Sequence, residues 1–339
     1  MQKKYSYLLG SIMVISSAII SQGCDSSGDS DDDLIGNWKK SSDFDGNARS
    51  EAVTFTIGDY VYLTTGTTDR DRFKDCWEFS LARQYWSQKA DLPGAARNSA
   101  VGFAINGKGY VGTGYDGVSK LNDFWEYDPS TNNWTQKADF GGSGRYDAVS
   151  FTAGSKGYIS CGFDGNYLKD LYQYDPVTNT WVQKASLGGS KRSAAMSFVI
   201  NDKAYICSGN NNGNSINDLW VYDAAADSWT EKRKISNVSD DDYDDDYTIQ
   251  RSNGVAFVMG DYAFVSSGEN SSYISTTWQY DPSSDLWTEK TAFEGSARVG
   301  AVAFTLSNRG FLLTGRSGSL SFDNMYEFDP AAEQNDDDN

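Results

Sequence analysis

Residues 98–136 read NSAVGFAINGKGYVGTGYDGVSKLNDFWEYDPSTNNWTQ. Four short apolar or aromatic runs are divided by turn signals: Asn106-Gly107, Asp116-Gly117 and the polar stretch 128–133. Asn-Gly and Asp-Gly suit tight turns because both residues tolerate positive φ, and the runs between them are rich in residues that favour strands. The segment therefore predicts a four-stranded antiparallel sheet. Apolar on both faces, such a sheet cannot stand alone in water and must be packed between neighbours.

The neighbours are copies of the same unit. Trp38, Trp86, Trp134, Trp181, Trp229 and Trp287 recur at steps of 48, 48, 47, 48 and 58 residues. Arg49, Arg97, Arg145, Arg192, Arg251 and Arg298 keep the same beat, each three places before Ala or Gly. Phe55, Phe103, Phe151, Phe198, Phe257 and Phe304 follow, and a glycine stands eleven residues after each. Stacking four-stranded units around an axis gives a propeller, with the small residue after each arginine on the crowded innermost strand. Trp38 carries a last-strand signature with nothing before it, and the final unit, ending at Phe328-Asp329-Pro330, lacks its tryptophan strand. Pairing the two completes a sixth blade and removes both open edges. The expected fold is all-β: a six-bladed propeller over 34–330, closed by the N-terminal strand in the C-terminal blade.

The unit resembles the kelch repeat, whose period of about 50 fits better than the shorter WD40 period. Kelch units usually end the second strand in two glycines. Here a small residue replaces the first, as in Thr65-Gly66, Thr113-Gly114, Cys161-Gly162, Ser208-Gly209, Ser267-Gly268 and Thr314-Gly315.

Ahead of the repeats, Lys3 and Lys4 precede an apolar run from Leu8 to Ile20 and then Ser21-Gln22-Gly23-Cys24. That is the layout of a secretory signal over 1–23, too short to span a bilayer comfortably. The cysteine resembles the lipobox of bacterial lipoproteins, which implies lipidation at Cys24. Residues 24–33 are too polar to fold and predict an acidic tether, and 331–339 predict an acidic disordered tail. An acidic run after a lipidated cysteine resembles the export signal of Bacteroidetes-type surface lipoproteins. The expected location is the outer membrane, exposed at the cell surface or otherwise on the periplasmic side, with the membrane touched only through the lipid.

The formal charge is −18, and removing 1–23 makes it −20, so nucleic acid is a poor partner. The chain has no histidine and four cysteines. Beyond Cys24, Cys76, Cys161 and Cys207 fall in strand patterns without zinc spacing; buried thiols are expected, with Cys161–Cys207 pairing as the alternative. No cofactor or metal site is expected, and the protein is read as a monomer.

Function is expected on one face of the disc. The turns between strands one and two, and three and four, are monotonous and read as structural. The opposite face carries the arginines, the loops 115–117 and 163–165, and the one large insertion: 22 residues separate Trp229 from Arg251, against 11 elsewhere. The insertion contains Asp240, Asp241, Asp242, Tyr243, Asp244, Asp245, Asp246 and Tyr247. A solvated loop is its default reading. The alternatives are a dock for a cationic partner, a cover that neutralises the arginines, or a weak calcium site at Asp240, Asp242, Asp244 and Asp246.

The six arginines read first as ties for their own loops. Resemblance to animal kelch adaptors also implies that some of them grip an anionic ligand, as guanidinium grips carboxylates. Tyr115, Tyr146, Phe163, Tyr167 and Tyr273 are expected near the same face, where rings among Asp, Asn and Arg stack on sugars or pack between blades.

Two functions follow. The first is a non-catalytic module that binds a glycan or protein through the arginine face and the 236–250 loop. The second is implied by the resemblance, since kelch propellers include sialic acid mutarotases and galactose oxidases. Lacking the imidazoles that copper needs, the chain could follow only the isomerase type, without histidine or metal.

Overall fold

The computed structural model describes Met1 and residues 34–338 of the protein. The expected signal segment, Cys24 and the tether lie outside the described residues, Met1 aside. Residues 34–338 form six four-stranded antiparallel sheets. Blade 2, for example, runs Val101–Ile105, Lys108–Gly112, Phe124–Asp128 and Asn133–Gln136 from axis to rim. The sixth sheet takes Val302–Leu306, Arg309–Leu313 and Met325–Asp329 from the C-terminus and its rim strand, Asn37–Lys40, from the N-terminus. Its register places Trp38 opposite Phe328 and Asn37 opposite Asp329.

Aromatic residues explain the repeat. On each blade the landmark phenylalanine stacks flat on an aromatic of the adjoining strand, as Phe103 does on Tyr110 with ring centroids 5.7 Å apart. It then reaches across to the next blade, where only a small residue fits. A Cβ on Gly109 would lie 2.1 Å from Phe55, and one on Gly157 2.2 Å from Phe103. The rim tryptophans staple neighbouring blades: Trp134 Nε1 donates to Ala90 O, Trp181 Nε1 to Ala138 O and Trp229 Nε1 to Ala185 O, at 2.8–3.1 Å. The aromatic before each aspartate belongs to the same joint. Tyr127 Oη donates to Asn132 Oδ1, which also accepts from Ala90 N of the previous blade.

A second set of links closes around the axis. Glu51, Ser99, Asp147, Ala194, Asn253 and Gly300 each stand two places after a landmark arginine, and all six hold φ between 52° and 61°. Each backbone N–H donates to the carbonyl of its equivalent one blade back. Glu51 donates to Gly300, Ser99 to Glu51, Asp147 to Ser99, Ala194 to Asp147, Asn253 to Ala194 and Gly300 to Asn253, at 2.6–3.1 Å. The six bonds form a complete circle.

Residues 331–338, expected as a disordered tail, lie against the closing strand: Asn335 N donates to Asn37 Oδ1 at 2.8 Å, and Asn37 Nδ2 donates to Asp338 Oδ2 at 3.2 Å. Cys76, Cys161 and Cys207 are buried thiols and Cys161 does not pair with Cys207. Burial pushes the Cys207 thiol up to about 12.

Candidate functional site

The landmark arginines come first because they build the loop face. All six are 0% exposed. Arg97 donates through Nη1 and Nη2 to Asp123 Oδ1 and Oδ2 at 2.5 and 2.7 Å, and Nη1 and Nε also donate to Thr113 O and Ala95 O. The same clasp joins Arg49 to Asp75, Arg145 to Asp170 and Arg192 to Asp218. Burial opposes ionisation of Asp123, but the bonds and charge of Arg97, with a bond from the Trp125 indole, outweigh it and hold the carboxyl below its ordinary value. Blades 5 and 6 depart from this. Arg251 meets Thr276 Oγ1 and O, and Arg298 meets Asn324 Oδ1, with no carboxylate in either place. Burial draws both guanidiniums down to about 10. The arginines therefore tie down loops. The anionic-ligand contact expected of some of Arg49, Arg97, Arg145, Arg192, Arg251 and Arg298 needs an exposed N–H, and fully buried guanidiniums offer none.

The acidic insertion is also turned to structural use. Tyr247 is 8% exposed; its Oη accepts from Trp287 N at 2.7 Å and its ring packs on Trp278. Tyr243 Oη accepts from Lys234 N, and its ring lies under Arg233. Tyr247 is therefore not presented to a ligand as expected, while Tyr243 is half-buried with its hydroxyl engaged. Asp244 points inward: burial opposes its charge, but Ser239 Oγ, Val238 N and Ser239 N donate to it and keep its carboxyl low. Asp240, Asp242 and Asp246 remain exposed. Among the described residues no three metal-ligating side chains converge, so the calcium alternative has no cage. No carboxylate of the loop bonds an arginine of the ring, so the loop is not their cover.

At the axis the loop face opens into a small cavity of about 150 Å³, lined by Glu51, Ser99, Asp147 and Asn253 among alanines and glycines. Ser99 Oγ lies 3.0 Å from Glu51 Oε2 and is hydrogen-bonded to Asp147 as well. A hydroxyl has one proton, so it can donate to only one of the two carboxylates at a time. Burial raises Asp147 to about 6; Ser99 pulls against this, and the charge of Glu51 adds to it. Glu51 is steadied by Asn98 Nδ2 at 2.6 Å and by Arg316 Nε at 3.7 Å. This carboxylate pair escapes the sequence reading. Its signal is a position that differs in every unit, Glu, Ser, Asp, Ala, Asn, Gly, two residues after each arginine.

Beside this mouth an aromatic row runs from the loops of blade 2 to those of blade 3. Arg72 lies over the Tyr115 ring; Tyr115 meets Tyr146 at 5.6 Å between centroids, Tyr146 meets Phe163 at 5.6 Å, and Phe163 meets Tyr167 at 5.1 Å. Four of the five expected aromatics are thus brought together, each half-buried. Tyr273 stands apart on blade 5, its Oη accepting from Gly318 N. The row ends in a groove of about 420 Å³ between blades 3 and 4, lined by Phe163, Gly165, Asn166, Tyr167, Lys191, Asn211 and Asn212. One wall is a two-stranded ribbon, Asn210–Asn211 with Asn214–Ser215. Its turn holds positive φ at Asn212 and Gly213, and Asn210 Oδ1 accepts from Tyr167 Oη and Gly213 N.

Known proteins place this architecture. A family profile described as the KLHDC2/KLHL20/DRC7 kelch-repeats domain matches residues 37–191. The solved structure of YjhT superposes with a TM-score of 0.70 at 16% identity, over 85% of this chain and 96% of that one, a likeness of fold. No curated protein matches the chain. With six four-stranded blades and head-to-tail closure the chain is a six-bladed β-propeller, and from its first strand through blade 3 it is similar to the kelch-repeat profile.

Proposed function

We propose that the protein is a non-catalytic binding module whose loop face takes a glycan along the row Tyr115, Tyr146, Phe163 and Tyr167. The observation that carries this is the unbroken chain of ring contacts leading into a polar groove. Half-exposed aromatics with amides beside them suit pyranose rings, which present apolar faces and hydroxyl edges. Rigid clasps beneath the loops leave little to be ordered on binding, which favours affinity. Binding of the purified protein to a glycan array, followed by calorimetry with Tyr146→Ala, tests it. The reading requires loss of at least tenfold in affinity with unchanged thermal stability; a protein ligand displaced by no saccharide would overturn it.

The axial mouth favours a second reading, an isomerase acting on a sugar hemiacetal. Two carboxylates whose surroundings differ are suited to give and take a proton, and Asp147 and Glu51 stand on either side of Ser99. NMR of anomer interconversion, with Asp147→Asn and Glu51→Gln, decides it: turnover abolished by either variant would replace the module reading.

Lipidation of Cys24 and display from the outer membrane belong to the same proposal. Mass spectrometry of the N-terminal peptide from the native host, with Cys24→Ala as control, tests the anchor.

A further inference from the structure

The geometry points to a carboxylate-bearing sugar, a hexuronate residue within a glycan, as the ligand of the groove between blades 3 and 4, held by Lys191 against the Phe163 and Tyr167 rings. This rests on the glycan-binding reading above and adds the class of sugar. The groove, at about 420 Å³, falls in the size range of small-ligand sites. Its aromatic wall is fixed, because Phe163 and Tyr167 meet edge to face and Tyr167 is tied to Asn210. Its other wall is amide-rich: Asn166, Asn211 and Asn212 each carry both a donor and an acceptor, the pairing that vicinal hydroxyls require.

Charge decides the class. In a chain of net charge −18, the only charged side chain lining this groove is Lys191, which is exposed and makes no ion pair among the described residues. Lys169, half-buried, donates to Gly189 O, two residues before Lys191 in the chain. Asp164, the near carboxylate, does not line the groove and accepts from Ser143 Oγ and from Asn166 N and Nδ2. A flexible ammonium at the rim of a stacking site recognises a carboxylate projecting from the ring edge. A peptide carboxylate would satisfy Lys191 equally but would leave the aromatic wall and the amide triad unused, which favours the sugar.

Calorimetry with the full protein tests this, using an oligogalacturonide and a neutral galacto-oligosaccharide of equal length as probes. The uronide is expected to bind at least tenfold tighter, with affinity that falls as salt rises. Lys191→Met should lower the uronide's affinity to that of the neutral sugar and so erase the preference, Lys191→Arg should restore it, and Tyr167→Ala should weaken both. Equal binding of the two sugars by the unaltered protein would overturn the charge assignment and leave glycan binding standing. Failure of both sugars to bind would overturn the two readings together. Competition by oligoglutamate at the uronide's own affinity would overturn the sugar in favour of an acidic peptide.

Discussion

Arg298 Nη1 lies 2.7 Å from Asn324 Oδ1, while its Nη2, buried with it, has no hydrogen-bond partner. In blades 1 to 4 that second nitrogen meets the second oxygen of an aspartate. An amide has only one oxygen to give, and the loss falls on a group that water cannot reach. Three rings, Phe293, Phe322 and Tyr326, surround the guanidinium and offset part of the deficit. Asn324→Asp should therefore stabilise the protein by about 1–3 kcal/mol, the worth of a charged hydrogen bond. Urea denaturation of the two proteins measures the difference, and the reverse change in blade 2, Asp123→Asn, should destabilise by about 3–5 kcal/mol.

Asp147 sets a dependence on pH. Its folded carboxyl titrates at about 6, above the ordinary 3.8, because burial disfavours the charge. The folded state thus keeps a proton that the unfolded chain has released, and stability declines as pH rises between those two values. Asp147→Asn should remove that decline and match or exceed the unaltered protein above pH 6. Asp123, clasped by Arg97, acts in the opposite sense. Its carboxyl is depressed, so its contribution is present above the unfolded value and is lost as pH falls through the folded one. Thermal midpoints across pH 3–8 separate the two contributions.

The blade joints predict a steric effect. A methyl group on Gly109 would press into Phe55, whose nearest carbons would stand 2.1 and 2.5 Å away. Phe55 is 4% exposed and stacked on Tyr62, so it has nowhere to retreat. Gly109→Ala should cost about 1–3 kcal/mol, as overpacking of a core does. The solvent-facing Gly107, whose Cβ would meet nothing, should be less sensitive despite its positive φ. Chemical denaturation of both variants checks the ordering.

The insertion yields a prediction about the joint between blades 4 and 5. Tyr247→Phe removes the acceptor of Trp287 N and leaves a buried N–H unpaired, which should cost about 1–3 kcal/mol. Saccharide affinity should not change, because the tyrosine lies under the loop and not on its outer surface. A variant that lost binding at full stability would return Tyr247 to the recognition surface.

The fold was legible because its causes are local and repeated. Trp, Arg, Phe and Gly mark each unit, and Trp38 without a preceding strand announces the closure. The clasps were half legible. The arginines stand out, but their partners Asp75, Asp123, Asp170 and Asp218 lie 25 or 26 residues further on, in loops whose course sequence does not give. The aromatic row was found because aromatics in turn-rich loops are conspicuous. Lys191, Asn166 and Asn211 were not, since a lysine or asparagine on a loop is ordinary until a groove forms beside it. Tyr243 and Tyr247 misled because an acidic stretch looks solvated, whereas a buried Ile235 and Ile249 at its base pull the loop onto the core.

The circle of six amides at the axis has an electrical consequence. Where a helix begins, parallel N–H groups converge on one point and attract anions. Here the six N–H groups follow one another around the axis and each is met by a carbonyl of the neighbouring blade, so none of them is left to attract an anion. The polarity of the opening is set by the side chains that line it, those of Glu51, Ser99, Asp147 and Asn253. A substitution at any of these four places can therefore change the charge of the entrance while the backbone bonds of the hoop stay as they are.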